Sequence, residues 1–104
     1  MNSYENDLEM EINSKGLNAP RLTPDYINSK IKSVKYHIFD ETCLTVCCIT
    51  LLNGFHVTGE SACASPENFN TEIGQKIAYN CAREKIWMLE GYLLKQQLYE
   101  KSLK

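Results

Sequence analysis

The 104-residue sequence contains no run of basic residues and no long apolar run. The chain has 11 lysines and arginines against 13 aspartates and glutamates. This balance does not predict the basic surface that binding to duplex nucleic acid requires. The most apolar stretch, residues 43–52, is about half as long as a membrane-spanning helix needs to be. Residues 1–20 lack the basic and apolar regions of a signal peptide. We therefore expect a cytoplasmic protein that binds neither duplex nucleic acid nor membranes.

Short catalytic motifs are absent as well. The sequence has no G-x-S-x-G turn, no phosphate-binding Walker loop, no H-E-x-x-H helix and no G-x-G-x-x-G turn. His37 and His56 could each act as a general base, but both fall at outward strand positions, where a solvated histidine is the simpler interpretation. We expect no catalytic residues and no enzymatic activity.

The five cysteines do not have the pattern of a disulfide framework. Their number is odd, none forms a C-x-x-C pair, and Cys47 and Cys48 are adjacent. Each lies in an otherwise apolar segment, where a free thiol behaves as a small buried hydrophobic group. Neither histidine stands at a ligand spacing from them, so we expect no metal site and no cofactor.

Turn and capping signals predict three strands in the first half of the chain. Thr23-Pro24 predicts the start of a short helix that ends near residue 33. Alternating apolar residues then predict strands over residues 34–39 and 42–52. Asn53-Gly54 predicts a type I′ hairpin turn and, after it, a third strand over residues 55–60. The result is an antiparallel β-meander.

The C-terminal third predicts one long helix. Asn70 can cap it, Glu72 lies in its first turn, and residues 71–101 contain no proline. The fold class is therefore α+β, with a meander of about three strands preceded by a short helix and followed by one long C-terminal helix. Apolar residues cover more than half of the long helix's circumference, which is more than burial on one small sheet requires and predicts two packing partners.

The first twenty residues differ in composition from the rest. They are rich in asparagine, serine and acidic residues, and Gly16 and Pro20 interrupt them. We predict a flexible N-terminal arm over residues 1–20 and a single α+β domain over residues 21–104. Leu8, Met10 and Ile12 alternate with polar residues as in an edge strand, so the arm could also order against a partner.

The polar side of the long helix carries a candidate anion-binding stripe. Lys76, Tyr79 and Arg83 are spaced so that two cations flank one aromatic ring. The alternative is a solvated face with ordinary pairs between residues four apart. Trp87, Leu94 and Leu98 border the same stripe, as subunit contacts or as a ligand-binding shelf.

Residues 51–98 contain sequence motifs that resemble those of a known family. The motifs are Asn53-Gly54-Phe55, Gly59-x-Ser61-Ala62-Cys63, Asn68-Phe69, Ile73-Gly74-x-Lys76-Ile77-Ala78 and Lys85-Ile86-Trp87-x-Leu89-Glu90-Gly91-Tyr92-Leu93-Leu94. With these motifs the chain resembles the small phage-protein family named after the gene 49 and gene 66 products of two tailed phages. It also looks like the type-one Thoeris anti-defence proteins.

The resemblance implies a function and an assembly. It implies that the protein binds, without cleaving, the glycocyclic ADP-ribose isomers that bacterial TIR enzymes make as immune signals, in the cytoplasm of the infected host. In some members it implies a separate site for cyclic di- or trinucleotides. The implied assembly is a homodimer with the long helices at its centre, sometimes built into a hexamer.

A cyclic ADP-ribose needs an aromatic side chain for its base, polar donors for its riboses and a cation for its pyrophosphate. Under the resemblance, Phe55 stacks on the base, and Ser61 and Asn68 contact ribose or base edges. Their alternative roles are structural: a core position for Phe55, a hairpin end for Ser61 and a turn cap for Asn68.

The pyrophosphate role falls to the helical stripe. Under the resemblance, Arg83 holds the pyrophosphate through two hydrogen bonds, with Lys76 nearby. Many relatives are expected to carry a basic residue at position 79, where this chain has Tyr79, which could stack on the ligand instead. The enclosed pocket that tight binding requires would include the second subunit.

Two other functions fit the same residues. One is a protein-interaction module that inhibits a host enzyme through Trp87, Leu94 and Leu98. The other is a small nucleotide-processing enzyme that uses His37 or His56.

Overall fold

The computed structural model describes residues 3–17 and 19–104. Within these residues, three helices and three strands follow one another, with one turn of 3₁₀ helix at Pro66–Asn68 before the last helix. They are α1 (Ser3–Ser14), α2 (Pro24–Ser29), β1 (Ile31–Ile38), β2 (Thr45–Leu51), β3 (His56–Ser61) and α3 (Thr71–Ser102). The predicted α+β fold, with its short helix, meander and long C-terminal helix, is confirmed.

The three strands form one antiparallel sheet in the order β1-β2-β3. Tyr36 pairs with Cys47 across the first ladder, and Cys47 pairs with Gly59 across the second. β1 begins earlier than predicted because α2 ends at Ser29, several residues before the expected end. β2 starts later than predicted, since residues 39–44 form the turn between the first two strands.

The hairpin between β2 and β3 lies where it was predicted, but its turn is of a different type. Gly54 has a positive φ of 89°, whereas Asn53 does not have the positive φ that a type I′ turn requires. The Gly54 amide donates to the Leu51 carbonyl, and Leu51 and Phe55 pair across the loop. The predicted type I′ turn is therefore wrong. The loop has three residues and a glycine in the left-handed region, a common alternative in hairpins.

The predicted capping residues begin both later helices. The Thr23 hydroxyl accepts from the Tyr26 amide at 3.1 Å, and the Asn70 side chain accepts from the Ile73 amide at 3.0 Å. Each bond satisfies an amide that has no partner within its own helix. α3 then continues through Gly74 and Gly91 to Ser102.

The core lies between one face of the sheet and α3. Its buried residues are Ile27, Cys47, Ile49, Leu51, Val57, Ala78, Ala82 and Ile86. β3 approaches α3 closely at Gly59, where a Cβ atom would overlap the Ala78 carbonyl oxygen and the Ala82 amide nitrogen. Small residues on both elements therefore set how closely the sheet and the helix can pack.

Residues 3–14 form a helix, which differs from the sequence interpretation of this segment as a loose arm or an edge strand. Leu8 and Ile12 lie four residues apart, as do Glu5 and Glu9, so they share a helix face, and Met10 points away with 70% of its surface exposed. Because the face shared by Leu8 and Ile12 also contains the carboxylates of Glu5 and Glu9, the hydrophobicity pattern of the sequence does not reveal this helix. Residues 1, 2 and 18 of the predicted arm lie outside the described residues.

The five thiols are free, but their burial varies more than predicted. Cys47 is fully buried, and burial together with the neighbouring Cys48 raises its pKa to about 11. Cys81 is exposed on α3, so the prediction that every cysteine is a buried hydrophobic group is wrong for this residue. The Cβ atom of Cys81 lies close to Gly59 of β3, although the residue as a whole is exposed.

Gly59→Ala should destabilise the protein by about 2–3 kcal/mol, because the new methyl group overlaps helix backbone that cannot move aside. Gly91→Ala is the matched control: its methyl group would lie 3.8 Å from Leu22 Cδ1, and it should stabilise the helix by roughly 0.5–1 kcal/mol. Urea unfolding measures both changes. Equal midpoints for the two variants would contradict the close packing at Gly59.

Thiol labelling at pH 8 should modify Cys81 first and Cys47 last. Cys81 is exposed, whereas Cys47 is buried and, with a pKa of about 11, is mostly protonated at that pH. Mass spectrometry of peptides from protein treated briefly with iodoacetamide gives the order. Early modification of Cys47 in folded protein would contradict the described core.

Candidate functional site: a carboxylate held by Arg83

The guanidinium of Arg83 lies in the middle of α3 with only 2% of the residue's surface exposed. Its Nε donates to Glu5 Oε2 at 2.7 Å, and its Nη2 donates to Glu5 Oε1 at 2.9 Å. The two parallel bonds form the bidentate arrangement in which arginine recognises planar anions. The predicted anion-binding arginine therefore holds an anion, and that anion is a side chain of α1.

Two aromatic residues complete the arrangement. The indole nitrogen of Trp87 donates to the same Glu5 Oε2 at 3.2 Å. The Tyr79 hydroxyl accepts from Arg83 Nη1 at 3.1 Å, and the Pro24 carbonyl accepts from Arg83 Nη2 at 3.3 Å. We refer to Glu5, Tyr79, Arg83 and Trp87 as the Arg83 cluster. Within it the Glu5 carboxylate receives three hydrogen bonds from two residues of α3.

The Arg83 cluster keeps its arginine charged. Burial by itself lowers the pKa of Arg83, but the hydrogen bonds to Glu5 and Tyr79 and the charge of Glu5 outweigh it, so the pKa lies above its ordinary value. A buried cation that loses its anion is costly, by about 3–5 kcal/mol in comparable pairs. This position on α3 therefore needs an anion at all times.

A cavity of about 530 Å³ lies beside the Arg83 cluster, within the usual range of small-molecule pockets. Its lining residues come from α1 and from the polar side of α3: Ser3, Tyr4, Glu5, Leu8, Asn80, Arg83, Glu84 and Trp87. Arg83 thus borders a concavity and does not point into bulk solvent. We refer to this space as the Arg83 cavity.

The other residues of the helical stripe have different surroundings. Lys76 is exposed, and its ammonium lies 3.3 Å from Glu72 one turn earlier, the ordinary pair that was the alternative interpretation. Tyr79 and Arg83 contact each other, as their spacing predicts. Of the predicted stripe, the structure brings Tyr79 and Arg83 together and leaves Lys76 paired with another residue.

The three remaining candidate residues lie elsewhere. Phe55 follows the hairpin loop, is 55% exposed, and lines a shallow cavity of about 390 Å³ with Met88 and Leu89 of α3. Ser61 ends β3, where it pairs with Thr45. Asn68 is exposed in the 3₁₀ turn, and its carbonyl accepts from the Cys63 thiol at 3.7 Å. Phe55 is therefore not a core residue, and one chain does not gather these three with Arg83 in one cavity.

A third cavity, of about 470 Å³, lies between α2, the hairpin loop and the C-terminal half of α3. The buried Glu90 lines it, together with Tyr26 and Lys30, whose ammonium lies 4.9 Å from the centre of the Tyr26 ring. Arg21 at its edge pairs with Glu9 of α1 through a second bidentate contact. Two of the acidic residues of α1, Glu5 and Glu9, thus bind two arginines that lie outside this helix.

Sequence reasoning missed Glu5 and gave Trp87 a different role. Glu5 appeared as one acidic residue among several in an apparent arm, and nothing local distinguishes it from Asp7 or Glu11. Trp87 was interpreted as a subunit contact or part of a ligand shelf, but its indole nitrogen donates inside the chain. A usable signal existed in the spacing of Arg83 and Trp87, which places both donors on one side of a helix.

Two general features of the described residues concern metals and membranes. Within residues 3–17 and 19–104, no group of three or more histidine, cysteine, aspartate or glutamate side chains could hold a metal ion. None of the helices in this part of the chain combines the length and the apolar character needed to span a bilayer.

Glu9→Gln should loosen α1 at neutral pH and have no effect in acid. The hydrogen bonds from Arg21 lower the pKa of Glu9 below its ordinary 4.5, so the pair stabilises the folded protein above that pH. This contribution is lost as the pH falls through the lowered pKa. Urea unfolding at a series of pH values should show the two proteins differing at pH 7 and converging in acid.

Glu11→Gln is the control for this experiment. Glu11 lies on the same helix and pairs with Lys15 at 3.6 Å, but both side chains are more than 60% exposed. Such pairs contribute little to stability. A pH-dependent difference for Glu11→Gln equal to that for Glu9→Gln would show that the Arg21 contact does not hold α1.

Comparison with known proteins identifies the family of the chain. No curated protein and no solved structure matches the chain. A family model, described as the phage protein (N4 Gp49/phage Sf6 gene 66) family, matches residues 22–98, which is well over half of the chain. The match contains Tyr79, Arg83 and Trp87, whereas Glu5 precedes it. The chain belongs to the phage protein (N4 Gp49/phage Sf6 gene 66) family.

Proposed function

We propose that this phage protein binds and sequesters glycocyclic ADP-ribose isomers, the signals of TIR-based Thoeris defence, without degrading them. By holding the free signal below the threshold of the host effector, it would block effector activation in the cytoplasm of the infected bacterium. The family membership and the resemblance to type-one Thoeris anti-defence proteins support the phage context. The observation that carries the proposal is the bidentate grip of Arg83 on an anion beside a cavity.

The donors of the Arg83 cluster suit a pyrophosphate. Two oxygens of a phosphate can each accept a hydrogen bond from the Arg83 guanidinium, as the two carboxylate oxygens of Glu5 do. The Trp87 indole adds a third donor, and the Tyr79 ring lies beside the guanidinium, 6.0 Å from ring centre to Cζ. The Arg83 cavity, of about 530 Å³, adjoins these donors.

A second copy of the chain is part of the proposal. The shallow cavity that Phe55 lines with Met88 and Leu89 shares no lining residue with the Arg83 cavity. A Phe55 that stacks on a ligand bound at Arg83 would therefore have to come from a partner chain. Large apolar side chains stay exposed on α3, among them Ile77 at 48%, Tyr92 at 71% and Leu93 at 50%. Burying them against a second subunit would cover the apolar side of α3, and a ligand at Arg83 would be enclosed only if that subunit also reached the polar side of the helix. A dissociation constant near 1 nM, about −12 kcal/mol, requires such enclosure.

Sequestration fits the surroundings of the two histidines better than catalysis does. His37 packs edge-on against Phe39, with ring centres 4.6 Å apart, and His56 lies 3.5 Å from the Thr50 hydroxyl. Neither lines the Arg83 cavity. A general base must lie within hydrogen-bonding reach of the proton that it removes. The proposal therefore assigns neither histidine a chemical role.

One observation favours a second candidate function, a module that inhibits a host enzyme by direct contact. The same exposed apolar side of α3 would suit a host protein, although Trp87 is engaged with Glu5 and only Leu94 and Leu98 of the predicted contacts remain available. Its distinguishing result is a stoichiometric complex with one host protein in the absence of any nucleotide.

Calorimetry with glycocyclic ADP-ribose should show tight binding by the full chain and a loss of roughly 10–100-fold in Arg83→Lys, because lysine keeps the charge but cannot form the bidentate contact. The control is Lys95→Arg, which exchanges the same two residue types in the opposite direction at an exposed position of α3. Its affinity for glycocyclic ADP-ribose should equal that of the unmodified protein. Parallel titrations with cyclic di- and trinucleotides test the separate site that the resemblance implies.

The fate of the bound ligand separates sequestration from catalysis. Heat denaturation after incubation should release the ligand intact, as measured by mass spectrometry. Recovery of altered ligand would instead support the nucleotide-processing enzyme. If no cyclic ADP-ribose isomer binds, the proposal is wrong.

A further inference from the structure

Helix α1 is attached to the domain through charged side chains and contributes nothing to the hydrophobic core. Glu5 is its one buried residue among the described positions, and no residue of α1 belongs to the core cluster. Of its apolar side chains, Tyr4 and Met10 are exposed, at 71% and 70%, whereas Leu8 is only 40% exposed and Ile12 is partly buried. Release of α1 would therefore expose apolar surface mainly at Leu8 and Ile12, neither of which belongs to the core cluster.

Two bidentate ion pairs hold α1 in place. Glu5 binds Arg83 in the Arg83 cluster, and Glu9 binds Arg21, with Nη2 and Oε2 3.0 Å apart. The Glu9 pair is partly exposed, at 27% for Arg21 and 23% for Glu9, and is therefore the weaker attachment. The Glu5 pair is buried and determines whether α1 stays bound.

The donors and the acceptor of the buried pair belong to different parts of the chain. Arg83 and Trp87 lie within the residues that match the family, whereas Glu5 lies before them. The family portion thus supplies a complete set of anion donors, and a separate helix supplies the anion. A carboxylate gripped through both oxygens is also the protein group most similar to the edge of a phosphate.

We propose that the Glu5 carboxylate is an internal occupant of an anion site, and that a phosphate-bearing ligand displaces it and releases α1. Trp87 then becomes a ligand-binding residue, donating its indole N–H to a phosphate oxygen. The exchange itself requires only a phosphate group; that the physiological ligand is a cyclic ADP-ribose rests on the proposed function. Because Ser3, Tyr4, Glu5 and Leu8 of α1 line one side of the Arg83 cavity, α1 is in this sense a latch that forms one wall of the closed cavity and opens it on release.

The exchange keeps the buried arginine neutralised. Withdrawal of Glu5 alone would leave a buried cation without a partner, so α1 stays closed in the absence of ligand. An incoming phosphate replaces one anion by another and restores the hydrogen bonds of Arg83 and Trp87. The cost of opening lowers the apparent affinity, because only the fraction of molecules with an open latch can bind.

Glu5→Gln should therefore bind phosphate ligands more tightly than the unmodified protein. Glutamine has the same length but no charge, so it competes less well for Arg83, and we expect an increase in affinity of about tenfold or more. Inorganic pyrophosphate is the probe, titrated by calorimetry into the full chain. Glu11→Gln, the same substitution on an outward side of the same helix, is the matched control and should leave the affinity unchanged.

A second measurement requires no variant. If pyrophosphate releases α1, trypsin should cut the full chain after Lys15 faster when the ligand is present. The single tryptophan, Trp87, should change its emission over the same ligand concentrations, since its indole exchanges a carboxylate for a phosphate. A fixed structural ion pair predicts protection from trypsin or no change in cleavage.

Different outcomes separate the latch from the proposed function. Tighter pyrophosphate binding by Glu5→Gln, together with faster cleavage after Lys15 in the presence of pyrophosphate, supports the latch. If the same protein binds no cyclic ADP-ribose isomer, only the proposed function is overturned. The opposite result is also possible: folded Glu5→Gln binds cyclic ADP-ribose no more tightly than the unmodified protein does, and the ligand protects α1 from trypsin. That result overturns the latch and leaves the proposed function standing. Absence of pyrophosphate binding in both proteins also overturns the latch.

Discussion

The buried guanidinium of Arg83 is the constraint on which the arrangement of the site depends. With 2% of the residue exposed and its pKa above the ordinary value, Arg83 keeps its charge and must face an anion. Glu5 supplies that anion, and the position of α1 follows from it because this helix has no place in the hydrophobic core. Trp87 and Tyr79 are oriented by the same pair, through the carboxylate and the guanidinium respectively.

The division between domain and helix gives the site its functional interest. The sheet and α3 form a core that Gly59, Ala78 and Ala82 allow to pack closely, so the donors of the site stand on a rigid element. The anion, in contrast, stands on a helix held by polar contacts. A rigid set of donors whose occupant a ligand displaces, as proposed above, suits a protein whose proposed task is to hold a ligand and perform no chemistry on it.

The sequence predicts the fold well because the fold depends on local signals. Thr23 and Asn70 cap their helices, and Asn53-Gly54 places the hairpin, though in a three-residue loop. Predictions of the site reached Tyr79 and Arg83, whose contact follows from helical spacing. They missed α1 as a helix, since its inward face contains carboxylates whose partners, Arg21 and Arg83, are distant in sequence. Long-range ion pairs leave no periodic pattern.

A crystal structure of the full chain with bound glycocyclic ADP-ribose tests the central claim most directly. The account predicts pyrophosphate oxygens on Arg83 Nε and Nη2 and on the Trp87 indole nitrogen, with Glu5 absent from the Arg83 cluster. A ligand bound elsewhere, with the Glu5 carboxylate still held by Arg83, would contradict it.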